Sequence, residues 1–338
     1  MKIRIVFGVF ISVLLLSCSD NTDSAMQVPN FEEICVITDN DKVISELKSF
    51  EIIDENMFII SDMQSVFLYD IKAGQIKKIG HSGRAQGEYF LPLKVRYNNG
   101  YLYVWSAGSL SFVVYDLDGN YIKNYPYSSA INDFLVDNQN IYVYTGGKYD
   151  DYIVDVIELP SNKVTDRLVS ANDEHIFMNK FLSVAPMASK DGKFYFSPKD
   201  KLKIYEYNSE NDSCDELLSV DSKTFSVKIG INGEQYNNPK RVQQALGDNS
   251  LTLGLLCVRN SFYLMTLEGK LGENKKYADS EKYFAIYDCS KPKGPIAKYP
   301  YSTIGTGKLI DTFNGSFYIL SSRANDEDEC YVLNKIIL

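Results

Sequence analysis

Histidine is nearly absent from this sequence, which holds only His81 and His175, and tryptophan occurs once. Two distant histidines, with no His-x-x-x-His and no Cys-x-x-Cys, leave no recognisable zinc site, so no cofactor or metal is expected. Glycine and proline are sparse, 21 and 10 of 338 residues, which excludes a collagen-like or low-complexity chain. Positive charge is also short. The 35 basic side chains face 44 acidic ones, for a net charge of −9 and a pI near 4.9. No basic footprint exists for a phosphate backbone, and nucleic acid is excluded as a partner. What is present is an apolar fraction of 45% against 23% charged residues, the composition of a globular chain with ample core.

The first residues form a separate object. Lys2 and Arg4 precede an apolar run from Ile5 to Leu16, and small residues follow, which is the layout of a secretory signal and too short to span a bilayer. The run ends in Leu15-Leu16-Ser17-Cys18, which resembles the lipobox of bacterial lipoproteins. That resemblance implies a signal peptide over residues 1–17 and Cys18 as the lipid-bearing first residue of the mature chain. Removal of Lys2 and Arg4 leaves 33 basic against 44 acidic side chains, a net −11, so a lipid would hold the chain to the membrane without help from a basic patch. Residues 18–30, the lipidated Cys18 and the polar stretch after it, read as a flexible tether.

From residue 31 onward the chain reads as all-β. Short Tyr-, Phe-, Ile- and Val-rich runs alternate with period two between Asn-, Asp- and Gly-containing turns. One element recurs every roughly 40 to 70 residues, a tight turn followed by a bulky apolar strand. Its six copies are Met57-Phe58-Ile59-Ile60, Tyr101-Leu102-Tyr103-Val104, Asn140-Ile141-Tyr142-Val143, Lys193-Phe194-Tyr195-Phe196, Ser261-Phe262-Tyr263-Leu264 and Ser316-Phe317-Tyr318-Ile319. Each has a strand before it and a third after it, and five of the six have a fourth. Four antiparallel strands, six times over, predict a single six-bladed β-propeller across residues 31–338. The last unit lacks a fourth strand, and Phe31 to Thr38 has no unit of its own. This N-terminal strand is therefore expected to close the ring as the outer strand of the last blade.

Gly80-His81-Ser82-Gly83-Arg84-Ala85-Gln86-Gly87-Glu88-Tyr89-Phe90-Leu91-Pro92 joins the first two units. It resembles the Gly-Arg-Gly-Pro-Gly-Glu-Tyr/Phe junction of the NHL-like six-bladed propeller lipoproteins of Bacteroidota, departing from it at Ala85 and Gln86. The resemblance implies the propeller fold and a lipid-anchored place in the bacterial cell envelope, at the outer membrane, and it carries no reaction.

Motifs for chemistry are weak. Gly80-His81-Ser82-Gly83-Arg84 lacks the second glycine of a nucleophile elbow, and Gly305-Thr306-Gly307-Lys308-Leu309 lacks the rest of a phosphate loop. Asp116-Leu117-Asp118-Gly119-Asn120 has alternating oxygen ligands but suits a hairpin turn better than a calcium loop. No catalytic residue is assigned. Most aromatic residues lie at alternating strand positions, where they would pack between blades. Loop aromatics Tyr89, Tyr149, Tyr236 and Tyr277 are free to meet a partner. Arg84 and Glu88 are expected either to pair with each other or to contact a ligand at the channel mouth. Arg84, Glu88, Tyr89, Tyr236 and Tyr277 are thus the candidate partner-binding residues. Long connections around Ser226–Ser250, with a short helix near Pro239 to Leu246, Thr266–Lys282 and Ser322–Glu329 should rise on one rim. Two classes of function remain. The first is a monomeric envelope binding module for a protein, peptide or glycan, and the alternative is a lactonase- or lyase-type propeller enzyme with a metal in its channel.

Overall fold

A computed structural model describes residues 31–38, 44–145, 151–230, 233–258, 261–269, 281–291, 294–301, 306–324 and 329–336. Residues 1–30, where a signal peptide, a lipidated Cys18 and a tether are expected, lie outside the described residues. Six four-stranded antiparallel sheets form the molecule. In blade 1 the strands run outward in chain order as Ser49–Ile52, Met57–Ser61, Val66–Asp70 and Gln75–Ile79. The inner strands of blades 2 to 6 are Pro92–Asn98, Ile131–Val136, Met187–Lys190, Leu251–Val258 and Thr306–Phe313. Each touches the inner strands of its two neighbours, and the sixth returns to the first, so the six enclose a channel. This is a six-bladed propeller.

Closure is as the sequence implied. Blade 6 takes Phe31–Thr38 as its outer strand, paired antiparallel to Glu329–Ile336 with Phe31 opposite Ile336 and Thr38 opposite Cys330. Pairing removes the free edge that an open ring would expose. Cys35 stands opposite Leu333, so it does not meet Cys330, and the five described cysteines are all free thiols.

Period-two alternation has a direct consequence for packing. Each blade presents two apolar faces, and the core divides into six wedges, one between each pair of adjacent blades. Between blades 2 and 3, Phe112 meets Phe134 at 4.8 Å; between blades 3 and 4, Tyr142 stacks on Phe194 at 4.1 Å. A buried ring of this kind contributes about 3–5 kcal/mol by truncation to Ala. The aromatic residues thus serve the blade interfaces, as their spacing predicted.

The hairpins between first and second strands of blades 2, 4 and 6 use primed turns. Asn99 and Gly100 have φ of 48° and 85°, and Asn314 and Gly315 have 44° and 79°. This left-handed pair suits the twist of the flanking strands and favours Asn-Gly. The Asp116–Asn120 segment is also a turn. Asn120 donates to both Asp116 carboxylate oxygens, at 2.8 Å from its N–H and 2.9 Å from Nδ2, where a calcium ion would need them.

Among the described residues two α-helices interrupt the pattern, both on connections from an outer strand to the next inner strand. The first, α1 (Asp173–Phe181), is capped by Asn172, whose side chain accepts the His175 N–H at 2.8 Å. The second, α2 (Pro239–Asp248), starts with Pro at its first position and is capped by Asn238. Phe177 and Met178 of α1 and Val242 of α2 join the wedge between blades 5 and 6. The helix near Pro239 was legible in the sequence, whereas α1 was not. The connections 270–280 and 325–328, also expected on this rim, lie outside the described residues.

Candidate functional site

The inner strands place charge where apolar packing would be the simpler solution. On the blade 2 strand, Lys94 and Arg96 are two residues apart and share a face, by strand periodicity. Glu51 comes from blade 1, Asp133 from blade 3 and Asp311 from blade 6. Ring geometry collects these five side chains around the channel.

Asp133 is the centre of the cluster. Its Oδ2 lies 2.7 Å from Arg96 Nη2 and 3.4 Å from Lys94 Nζ, and its Oδ1 accepts the Phe134 N–H at 2.8 Å. Arg96 also donates from Nε to the Phe134 carbonyl at 2.8 Å and from Nη1 to the Val95 carbonyl at 3.1 Å. Its approach to Glu51 is looser, with Nη1 3.8 Å from Oε2. Glu51 Oε2 accepts the Tyr97 N–H at 2.9 Å, and Asp311 Oδ2 accepts the Ile52 N–H at 2.8 Å.

Burial sets the protonation of the cluster. It pushes the Glu51 carboxyl well above the usual carboxylate range, against the opposing pull of Arg96. It moves Asp311 up to about 6, again against Arg96. It lowers Lys94, which Asp133 partly restores. Burial would lower Arg96 too, but Asp133, Glu51 and Asp311 outweigh it and hold the guanidinium above its ordinary value.

The two ends of the channel differ. Inner strands run from the helical rim toward the hairpin turns. At the helical end the segment after α1 lines the channel through Ser183, Val184 and Ala185, beside a cavity of about 130 Å³. Lys94 Nζ donates to the Ser183 carbonyl at 2.7 Å, and buried Lys199 donates to the Leu182 carbonyl at 2.6 Å. Burial and the nearby Lys94 drive the Lys199 ammonium well below its ordinary value. A third buried lysine, Lys282, donates to the carbonyl of Asn249, the C-cap of α2, at 2.7 Å, and burial lowers it to about 8. Lysines from the propeller therefore hold the C-terminal ends of both helices, where the helix dipole favours a cation. At the hairpin end a larger cavity of about 340 Å³ is lined by Glu51, Arg96, Asn98, Asp311, Phe313 and Asn314, among others.

His175 anchors α1. Asn179 Nδ2 lies 2.8 Å from its Nε2, which makes that nitrogen the acceptor and leaves the proton on Nδ1, 3.4 Å from Asp200 Oδ1. Burial lowers the imidazole; burial would raise Asp200, but the nearby His175 ring and the Asn172 hydrogen bond hold it below the carboxylate range. His175 is a strut, and His81 is exposed on a two-residue parallel ladder. Among the described residues, no three His, Cys, Asp or Glu side chains gather as a metal cage.

The residues singled out from the sequence are not brought together. Arg84 is exposed and stacks over Phe90 at 4.6 Å, while Glu88 accepts the Ala85 N–H at 2.8 Å, so the expected Arg84–Glu88 ion pair does not form. Tyr89 corrects the sequence reading: it is fully buried between blades 1 and 2, donates to the Ile79 carbonyl at 2.8 Å and accepts the Val66 N–H at 3.2 Å. It cannot stack on a partner. A Cβ at Gly83 would fall 2.0 Å from the Glu88 carboxylate, so glycine there serves the turn. The junction is a blade-to-blade wedge and lines neither cavity. Tyr236 is half-buried against Phe177, with Lys180 over its ring at 4.9 Å. Tyr149 and Tyr277 lie outside the described residues. The residues that sequence reasoning missed, Glu51, Lys94, Arg96, Asp133 and Asp311, had one signal: isolated charges inside strands that are otherwise apolar.

A closed ring of six four-stranded blades around an ionic channel defines the class of protein. The chain belongs to the DUF5128 family of six-bladed β-propellers, which matches residues 14–297. Among solved structures it is similar to a Bacteroides fragilis protein classed as exported, at 14% identity and a TM-score of 0.61, over 95% of this chain and 98% of that one. It is also similar to a DUF4221 member from Bacteroides vulgatus, at 12% identity and a TM-score of 0.59, over 93% and 98%. An inactive virginiamycin B lyase from Staphylococcus aureus, crystallised with quinupristin, matches at 9% identity and a TM-score of 0.50, over 91% and 100%. At these identities the likeness is one of fold. No curated protein sequence matches the chain.

Proposed function

We propose that the chain is an exported, lipid-anchored binding module of the bacterial envelope, and that its central channel receives the ligand, a small molecule or the end of a peptide or glycan. Export is supported by the signal-like N-terminus, by the lipobox-like Leu15–Cys18 and by the Bacteroides fragilis neighbour classed as exported. No helix among the described residues is long and apolar enough to cross a membrane; the lipobox-like Leu15–Cys18 is what supports a lipid on Cys18 as the anchor.

One observation carries the binding role. Five charged side chains line a channel that holds solvent-sized space at both ends. A purely structural channel would gain from apolar filling, since replacing a buried ion network by packed hydrophobic residues is neutral or stabilising by about 1–4 kcal/mol. The alternative of a metal-dependent lyase rests on fold likeness alone.

Two measurements test the reading. Cys18→Ala should release the protein from the membrane fraction or leave it unprocessed; a variant that fractionates and migrates like the wild type ends the lipoprotein assignment. For the channel, the mature protein is melted against a panel of amino acids, short peptides and sugars. A ligand at a hundred times its Kd adds about 2.7 kcal/mol of stability. A panel whose binders are equally good against Arg96→Gln overturns the channel as the site.

A further inference from the structure

Within the ionic cluster the charges are unevenly matched, and the mismatch faces one cavity. Both cations converge on Asp133: Arg96 at 2.7 Å and Lys94 at 3.4 Å. Lys94 is further committed to the Ser183 carbonyl, and Arg96 to the carbonyls of Val95 and Phe134. The other two carboxylates are more weakly matched. Glu51 has the looser Arg96 contact at 3.8 Å, and among the described residues Asp311 makes no ion pair within 4 Å. Each is fixed to the wall by a backbone N–H, from Tyr97 and from Ile52, and both line the 340 Å³ cavity at the hairpin end.

We propose that this cavity takes a ligand bearing a primary ammonium group, seated against the Glu51 and Asp311 carboxylates. The inference rests on the channel-binding reading and deepens it by naming the ligand's chemistry. An ammonium supplies a positive charge that draws both buried carboxyls into their ionised form, and three donors to a wall rich in acceptors. The Asn98 and Asn314 side chains on the same wall offer neutral partners to the rest of a polar ligand. An anion in this cavity would face Glu51 and Asp311, with Arg96 already engaged by Asp133. Calcium or magnesium needs about six or more oxygens and would sit beside the Arg96 guanidinium. The low-dielectric setting that makes unpaired carboxylates costly is what gives an incoming cation its advantage.

Two sources of that ammonium are tested side by side: an amino sugar and a peptide N-terminus. The probes are glucosamine and trialanine, each against its N-acetylated form, titrated calorimetrically into the mature protein. At least one free amine should bind, with its acetylated counterpart weaker by about 10-fold or more, the loss expected for one charge-assisted hydrogen bond. Whichever amine binds identifies the source. Asp311→Asn keeps the shape and the Ile52 contact and should erase most of that preference while melting no lower than the wild type; Glu51→Gln provides the second check. Affinity should also fall as pH drops through about 6, because protonating Asp311 removes the cation's partner. If the acetylated probes bind as well as the free amines, the ammonium assignment fails while channel binding stands. If binding is indifferent to both variants, the site itself fails. Absence of binding by either amine also overturns the proposal.

Discussion

At the hairpin end of the channel the blades close with minimal turns, such as Asn99–Gly100, Asp191–Gly192 and Asn314–Gly315, each with positive φ at both positions. At the opposite end, residues 171–186 build α1 and a strap, Ser183 to Ala185, that lines the channel, and α2 sits on the next such connection. The first end depends on local backbone chemistry; the second depends on buried charges, since Lys94, Lys199 and Lys282 reach from the propeller to carbonyls at the helix ends. Local turns need nothing from the rest of the chain, whereas the strap can sit where it does only after the ring has formed. The comparison teaches that the open end is fixed early and cheaply, and the roofed end is conditional on the fold.

The largest perturbation should come from Asp133, which couples the two ends by serving both Lys94 and Arg96. Asp133→Ala leaves two buried cations without their shared partner, and a loss of about 3–5 kcal/mol in urea denaturation is expected. A loss below 1 kcal/mol would mean that the cluster does not join the ends.

The next effect belongs to the open end. Because burial raises Asp311 to about 6, above its unfolded value, the native state holds its proton more tightly. Stability from this group is therefore lost as pH rises from about 4 through 6, and Glu51 acts in the same direction. Asp311→Asn should flatten that decline and gain on the order of 2–3 kcal/mol at pH 7 relative to pH 4. Parallel denaturation curves of variant and wild type at both pH values would show otherwise.

The smallest global effect is expected at the roof. Lys199→Met removes a costly buried ammonium and also the donor to Leu182, so the two changes largely offset, within about 1–2 kcal/mol. Amide exchange should nonetheless quicken over residues 173–186 and stay unchanged in the Asn99–Gly100 and Asn314–Gly315 turns. Uniform exchange at both ends would break the distinction between them.

Legibility in the sequence follows the same divide. Strands, turns and the closing role of Phe31–Thr38 could be read because their signals are local: alternation, Asn-Gly pairs and a missing fourth strand. α1 escaped because Ile176, Phe177 and Met178 are consecutive rather than spaced on one stripe, and its stability comes from a cap and the His175 anchor. The channel cluster escaped for a topological reason. Glu51 and Asp311 are far apart in sequence and meet only because blade 6 lies beside blade 1, while Tyr89, which looked like a loop aromatic, is drawn into a wedge. Spacing along a chain carries no information about neighbours across a ring.

The pairing of Phe31–Thr38 with Glu329–Ile336 also dictates an order of events. The strand that emerges first from synthesis or from a membrane translocase is the one that must wait for the last blade before it finds its partner. Contacts of such long sequence separation make folding slow, and until closure the ring presents an open edge to other chains. This pairing therefore acts as a completion check: a chain truncated before Glu329 retains five complete blades yet has no partner for Phe31–Thr38.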